Sequence, residues 1–66
     1  MTDLELRRSA YTLLGWYGRN AYAVATKRAD TLLDEGDHER CEAWIGIART
    51  IAEIERLQWR ENVTLH

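Results

Sequence analysis

The sequence predicts a small all-α domain, either a three-helix domain or a long helical hairpin, and three observations favour this class. None of the 66 residues is a proline, residues of high helix propensity recur throughout, and β-branched residues never alternate with polar ones over a useful length. A chain this short forms one domain and buries only about 60% of its unfolded surface, so its core is thin. We therefore expect residues 1–66 to form a single helical domain.

The first helix is predicted over about residues 3–17, because its apolar residues repeat at helical spacing. The residues of this face are Leu6, Ala10, Leu13, Leu14 and Tyr17. Gly18 is suited to end the helix, and Asn20 is suited to cap the next one. The alternative is one helix that continues through Gly15 and Gly18, at a cost of about 1 kcal/mol for each glycine relative to alanine.

The second and third helices are predicted over about residues 21–35 and 38–60, with a tail at 61–66. Gly36 followed by Asp37 is the clearest boundary, since glycine ends helices and aspartate caps them. In the second helix, Lys27, Asp30 and Asp34 are expected to face solvent. The side chains expected to face inward are Ala21, Val24, Ala25, Leu32 and Leu33.

The third helix has more apolar circumference than one neighbouring helix can cover. One row contains Trp44, Ile47, Ile51 and Ile54, and a second row contains Cys41, Ile45, Ala48 and Ala52. We expect one row to pack within the chain and the other to meet a second copy in a helical bundle, as two-fold homodimers commonly do. A different protein on the same surface is the alternative. The predicted interface residues are Trp44, Ile47, Ile51, Ile54, Leu57 and Trp59.

Composition and charge narrow the expected partners. The formal net charge of -2 argues against a role that depends on neutralising many phosphates. No apolar run approaches the roughly 20 residues of a membrane span, and the first residues lack the order of a secretory signal, so a cytoplasmic location is expected. A nucleic-acid-associated regulator that uses Arg7/Arg8 and Lys27/Arg28 remains an alternative function.

One local cluster carries the residue types of a metal site. Asp37, His38, Cys41 and Glu42 pair at i, i+4 spacing, and metal binding at His38/Cys41 is a second alternative function. We favour the simpler interpretation that Asp37 caps the helix, His38 and Glu42 are solvated and Cys41 fills an apolar gap. The chain lacks a nucleophile motif and a phosphate-binding loop, so we predict that it is not an enzyme and needs no cofactor.

A resemblance covers about residues 21–57. It is carried by the run from Arg28 to Leu33, by Gly36-Asp37, by Trp44 and by the stretch from Ile47 to Ile54. In these residues the chain resembles a group of small helical proteins of alphaproteobacteria, whose activity is uncharacterised. The resemblance implies an alanine-rich helix, a Gly-Asp turn and a helix that bears a tryptophan, and it implies no activity. The leading hypothesis is a helical protein-interaction module or regulatory adaptor that acts as a homodimer, with Trp16, Tyr22 or Trp59 available to a protein partner.

Overall fold

The computed structural model describes the backbone of residues 2–64 and the side chains of residues 2–58, and this part of the chain is helical almost throughout. Its elements are α1 (Asp3–Tyr17), one 3-10 turn (Gly18–Asn20), α2 (Ala21–Asp34) and α3 (His38–Thr64). No strand occurs between residues 2 and 64. The predicted all-helical class is therefore confirmed.

The boundary expected at Gly18 is present as a single 3-10 turn. Gly18 has a φ of 55°, which glycine adopts readily, and its N–H donates to the carbonyl of Leu14. The capping role predicted for Asn20 is wrong, because its side chain makes no capping hydrogen bond. Asn20 already has helical backbone angles, whereas a side-chain N-cap needs an extended conformation. The turn therefore rests on glycine and on backbone hydrogen bonds.

The turn between α2 and α3 forms as the sequence predicted. Gly36 has a φ of 79°, its N–H donates to the Leu33 carbonyl at 3.0 Å, and the Asp37 N–H donates to the Leu32 carbonyl at 2.8 Å. This pair of hydrogen bonds is the Schellman motif that closes helices at a left-handed glycine. Asp37 Oδ1 then accepts from the Arg40 N–H at 3.1 Å and caps α3. The two helices are joined as a tight antiparallel hairpin.

Helix α3 is longer than predicted. It extends to Thr64 rather than to about Arg60, so the predicted tail begins too early. No glycine or proline follows Gly46, and nothing local therefore stops the helix. Its 27 residues span about 40 Å at the usual rise, most of the molecule's 47 Å longest dimension. The last residues, Leu65 and His66, lie outside the described part.

Both α1 and α2 pack on α3 to form the core. Leu6 of α1 lies against Gly46 of α3. The end of α1 near Gly18 lines a cavity together with Glu55 and Gln58 of α3. Leu32 of α2 lines a second cavity together with Trp44 of α3. The buried apolar side chains are Ala10, Leu13, Ala21, Ala25, Ala29, Leu32, Cys41, Ile47, Ala48, Ile51 and Ile54. The core therefore consists of one layer of small and branched side chains along α3.

Two of the predicted inward-facing residues point outward. Tyr17 and Leu33 are each about half exposed. Tyr17 is the last residue of α1, where the turn carries the chain away from the core. Leu33 follows the buried Leu32 by about 100° around the helix, so only one of the two can face α3. Lys27, Asp30 and Asp34 are exposed as predicted.

Candidate interaction surfaces

The structure divides the six predicted interface residues. Ile47, Ile51 and Ile54 lie in the chain's own core, with exposures of 4%, 0% and 8%. Trp44 is partly buried against both core clusters, and Leu57 is half exposed. The side chain of Trp59 lies outside the described residues. Most of the α3 residues predicted to contact a second chain are therefore covered by α1 and α2 of the same chain.

Other apolar residues remain uncovered on the α2–α3 hairpin. Tyr22 and Leu33 are 11 residues apart and share a side of α2, and Ile45 and Ala52 are seven apart and share a side of α3. All four are exposed, and Tyr22 and Ala52 line one surface cavity together with Arg49 and Arg56. We call these four residues, Tyr22, Leu33, Ile45 and Ala52, the open face of the hairpin.

Charged residues border the open face along α3. Glu42, Arg49, Glu53 and Arg56 lie on α3, and their spacing places them beside Ile45 and Ala52. The first of the four is acidic and the last is basic. The border therefore carries one negative charge at Glu42 and a net single positive charge over Arg49, Glu53 and Arg56.

A second surface surrounds Trp44, where arginines from all three helices meet. The guanidinium of Arg28 lies over the indole, 5.5 Å from the ring centroid, a distance typical of cation–π interactions. Arg28 and Arg40 line one groove beside Trp44, and Arg8 lines another. Arg40 also pairs with Asp37 at 3.6 Å.

The predicted basic clusters do not form one patch. Arg8 lies in the groove beside Trp44, whereas its neighbour Arg7 lines a different groove with Tyr11, Glu53 and Leu57. Arg28 stacks on Trp44, while Lys27, which is exposed, lies about 100° away around α2. The structure thus brings Arg8 and Arg28 to the same aromatic side chain and separates Arg7 from them.

The side chains of the four residues considered as a metal site have different environments. Asp37 caps α3, His38 and Glu42 are exposed, and Cys41 is buried with Ala29 and Leu32, as the simpler interpretation holds. Within the described residues, no three His, Cys, Asp or Glu side chains are grouped so that they could hold a metal ion. His66, the other imidazole, lies beyond them.

Sequence reasoning missed the contact that positions α1. A Cβ added at Gly46 would stand 3.0 Å from Cδ2 of Leu6, so α1 approaches α3 closely at that point. The sequence pattern instead places Gly46 in a polar stripe that also includes Glu39 and Arg60. A glycine in the middle of a long helix is the signal that could have marked the site, since it permits close approach of a neighbour.

Comparisons with known proteins supply no relative for this chain. It matches no protein-family model, no curated protein and no solved structure. Among the helices that the structure describes, none combines the length and the apolar character needed to cross a bilayer.

Proposed function

We propose that this protein is a helical interaction module that acts as a homodimer, and that the open face of the hairpin forms the dimer interface. The exposure of Tyr22, Leu33, Ile45 and Ala52, with Tyr22 of α2 beside Ala52 of α3, is the observation that carries this proposal. Large exposed apolar patches on small proteins mark interaction sites more often than isolated exposed residues do.

The thin core makes dimerisation energetically useful. Complete burial of a large apolar side chain contributes about 1.5 to 3 kcal/mol, and Tyr22, Leu33 and Ile45 are each already partly covered by their own chain. A two-fold dimer would bury these three side chains in both copies, six side chains in total. Domains of this size rarely gain more than about 3 to 5 kcal/mol of stability from a single core. The free energy from the dimer interface would therefore be large relative to the stability of one chain.

The borders of the open face favour an antiparallel arrangement of the two α3 helices. If Ile45 of one copy packs on Ala52 of the other, Glu42 lies within one turn of the partner copy's Arg56. A parallel arrangement would instead place Glu42 opposite Glu42 and Arg56 opposite Arg56, whereas Arg49 lies close to Arg49 of the other copy in either arrangement. Unlike charges across an interface set its orientation even where they add little affinity.

Dimerisation would also present the remaining exposed aromatic residues twice. Trp16 is 74% exposed and contacts Tyr17 edge to face, on α1 and outside the four residues of the open face. Two copies of a weak binding surface on one particle increase the avidity for a partner that carries two sites. This arrangement is consistent with an adaptor.

The molar mass in solution tests the proposal. Light scattering should give twice the 7.7 kDa of one chain for the unmodified protein, and about 7.7 kDa for Ile45→Lys, because a charge would be buried at the centre of the interface. Leu4→Lys is the matched control, since Leu4 is also exposed but lies at the start of α1. The mass of a single chain for the unmodified protein at millimolar concentration, or equal masses for the two variants, would refute the proposal.

A further inference from the structure

The groove between α1 and the start of α3 has the features of a small-molecule site. Its walls include the apolar side chains of Leu13, Ala43, Trp44 and Ile47, and Arg8 and Ser9 stand among them. The groove is open to solvent on one side and has a volume of about 370 Å³, near the lower end of the range of ligand pockets. An apolar surface with a few polar groups on one side is the usual construction of such pockets.

The charges at this groove favour an anion. Neither of the two grooves beside Trp44 has an acidic residue among its lining residues, whereas three other surface cavities include Glu53 or Glu55. No carboxylate in the described part of the chain lies within ion-pair distance of Arg8. The guanidinium of Arg8 is therefore available for an external anion.

We propose that this groove binds an organic anion that joins an apolar ring or chain to a single carboxylate. The apolar part would pack against Leu13, Ala43 and Ile47, and the carboxylate would accept hydrogen bonds from Arg8 in the two-pronged geometry that guanidinium groups favour. Arg28, held on Trp44, adds positive charge beside the site. This binding site is separate from the dimer interface proposed above.

Titration with a matched pair of probes tests the proposal. We would follow 2-naphthoate and its neutral analogue 2-naphthamide by two-dimensional amide NMR at millimolar concentration. The naphthoate should shift the amide signals of residues that line the groove and should bind about fivefold more tightly than the amide, the upper range for an exposed ion pair. Equal affinity of the two probes, or no shift at these residues, would overturn the proposal.

Two arginine variants separate a specific contact from general attraction. Arg8→Gln should weaken naphthoate binding about fivefold and leave the amide unchanged. Arg7→Gln removes the same charge one residue away but alters the groove that contains Tyr11 and Leu57. It should leave both affinities unchanged. If the two variants weaken naphthoate binding equally, the positive field of the helix rather than the groove is responsible, and the proposal fails.

A third variant tests the apolar part of the site. Ala43→Leu would fill the groove without a change of charge, and it should abolish the binding of both probes while the amide spectrum remains dispersed. Retained naphthoate binding by a folded Ala43→Leu protein would place the ligand elsewhere. The same titration on Ile45→Lys should give unchanged affinity, so a failure of the dimer proposal leaves this result interpretable.

Discussion

At the scale of single residues, the glycines of α1 and of the turn that follows it have different roles although they are three positions apart. Gly15 has ordinary helical backbone angles, and a Cβ there would meet nothing within 4 Å. Gly18 has equally open space, but its φ of 55° is one that other residues rarely adopt. The cost of a side chain at these sites therefore depends on backbone conformation rather than on packing.

This difference predicts opposite effects of one substitution. Gly15→Ala should raise the free energy of unfolding by about 0.5 to 1 kcal/mol, because alanine stabilises a helix interior. Gly18→Ala should lower it by about 1 kcal/mol or more, because it forces a side chain into the left-handed region. Urea denaturation of both variants and the unmodified protein provides the measurement. The same sign for both would contradict a positive φ at Gly18.

At the scale of helices, the ends of the hairpin are set by local chemistry. The side chain of Asp37 accepts from the Arg40 N–H, and Thr2 likewise accepts from the Glu5 N–H at the start of α1. Asp37→Ala should lower the free energy of unfolding by about 1 kcal/mol, because the first turn of α3 loses a hydrogen-bond acceptor. Asp37→Asn keeps an acceptor and is the control. Equal losses for alanine and asparagine would argue against capping.

The position of α1 depends on the contact between Leu6 and Gly46. Gly46→Leu should destabilise the protein by about 1 to 3 kcal/mol, because the new side chain has to displace Leu6 or move α1. Gly15→Leu places the same side chain in open space and should have little effect beyond helix propensity. Thermal unfolding followed by circular dichroism compares the two. Equal stability of both variants would show that α1 does not pack at Gly46.

The helices are predictable from sequence to different degrees, for physical reasons. The Gly36-Asp37 turn is predicted correctly because the hydrogen bonds of a Schellman motif and an N-cap all lie within a few residues. The sequence does not predict that α1 and α2 cover Ile47, Ile51 and Ile54. Their burial depends on where α1 packs against α3, and that contact joins residues about 40 positions apart. Periodicity shows that a face is apolar but not which neighbour covers it.

At the scale of the whole molecule, the proposed dimer can be tested by exchanging the charges of Glu42 and Arg56. Arg56→Glu should weaken dimerisation, because it places a second carboxylate near Glu42 of the other copy. The double variant Glu42→Arg, Arg56→Glu should restore it, because unlike charges face each other again. Sedimentation equilibrium at low salt measures both dissociation constants. A double variant weaker than Arg56→Glu alone would contradict the antiparallel arrangement.

Contacts between the two copies would show whether the open face forms the dimer interface. In a sample that mixes isotope-labelled and unlabelled chains, isotope-filtered NOE spectra report only contacts between different copies. We expect intermolecular contacts from the Ile45 methyl groups to the Ala52 methyl group. Intermolecular contacts confined to residues outside the open face, such as Leu57 or Trp16, would contradict it.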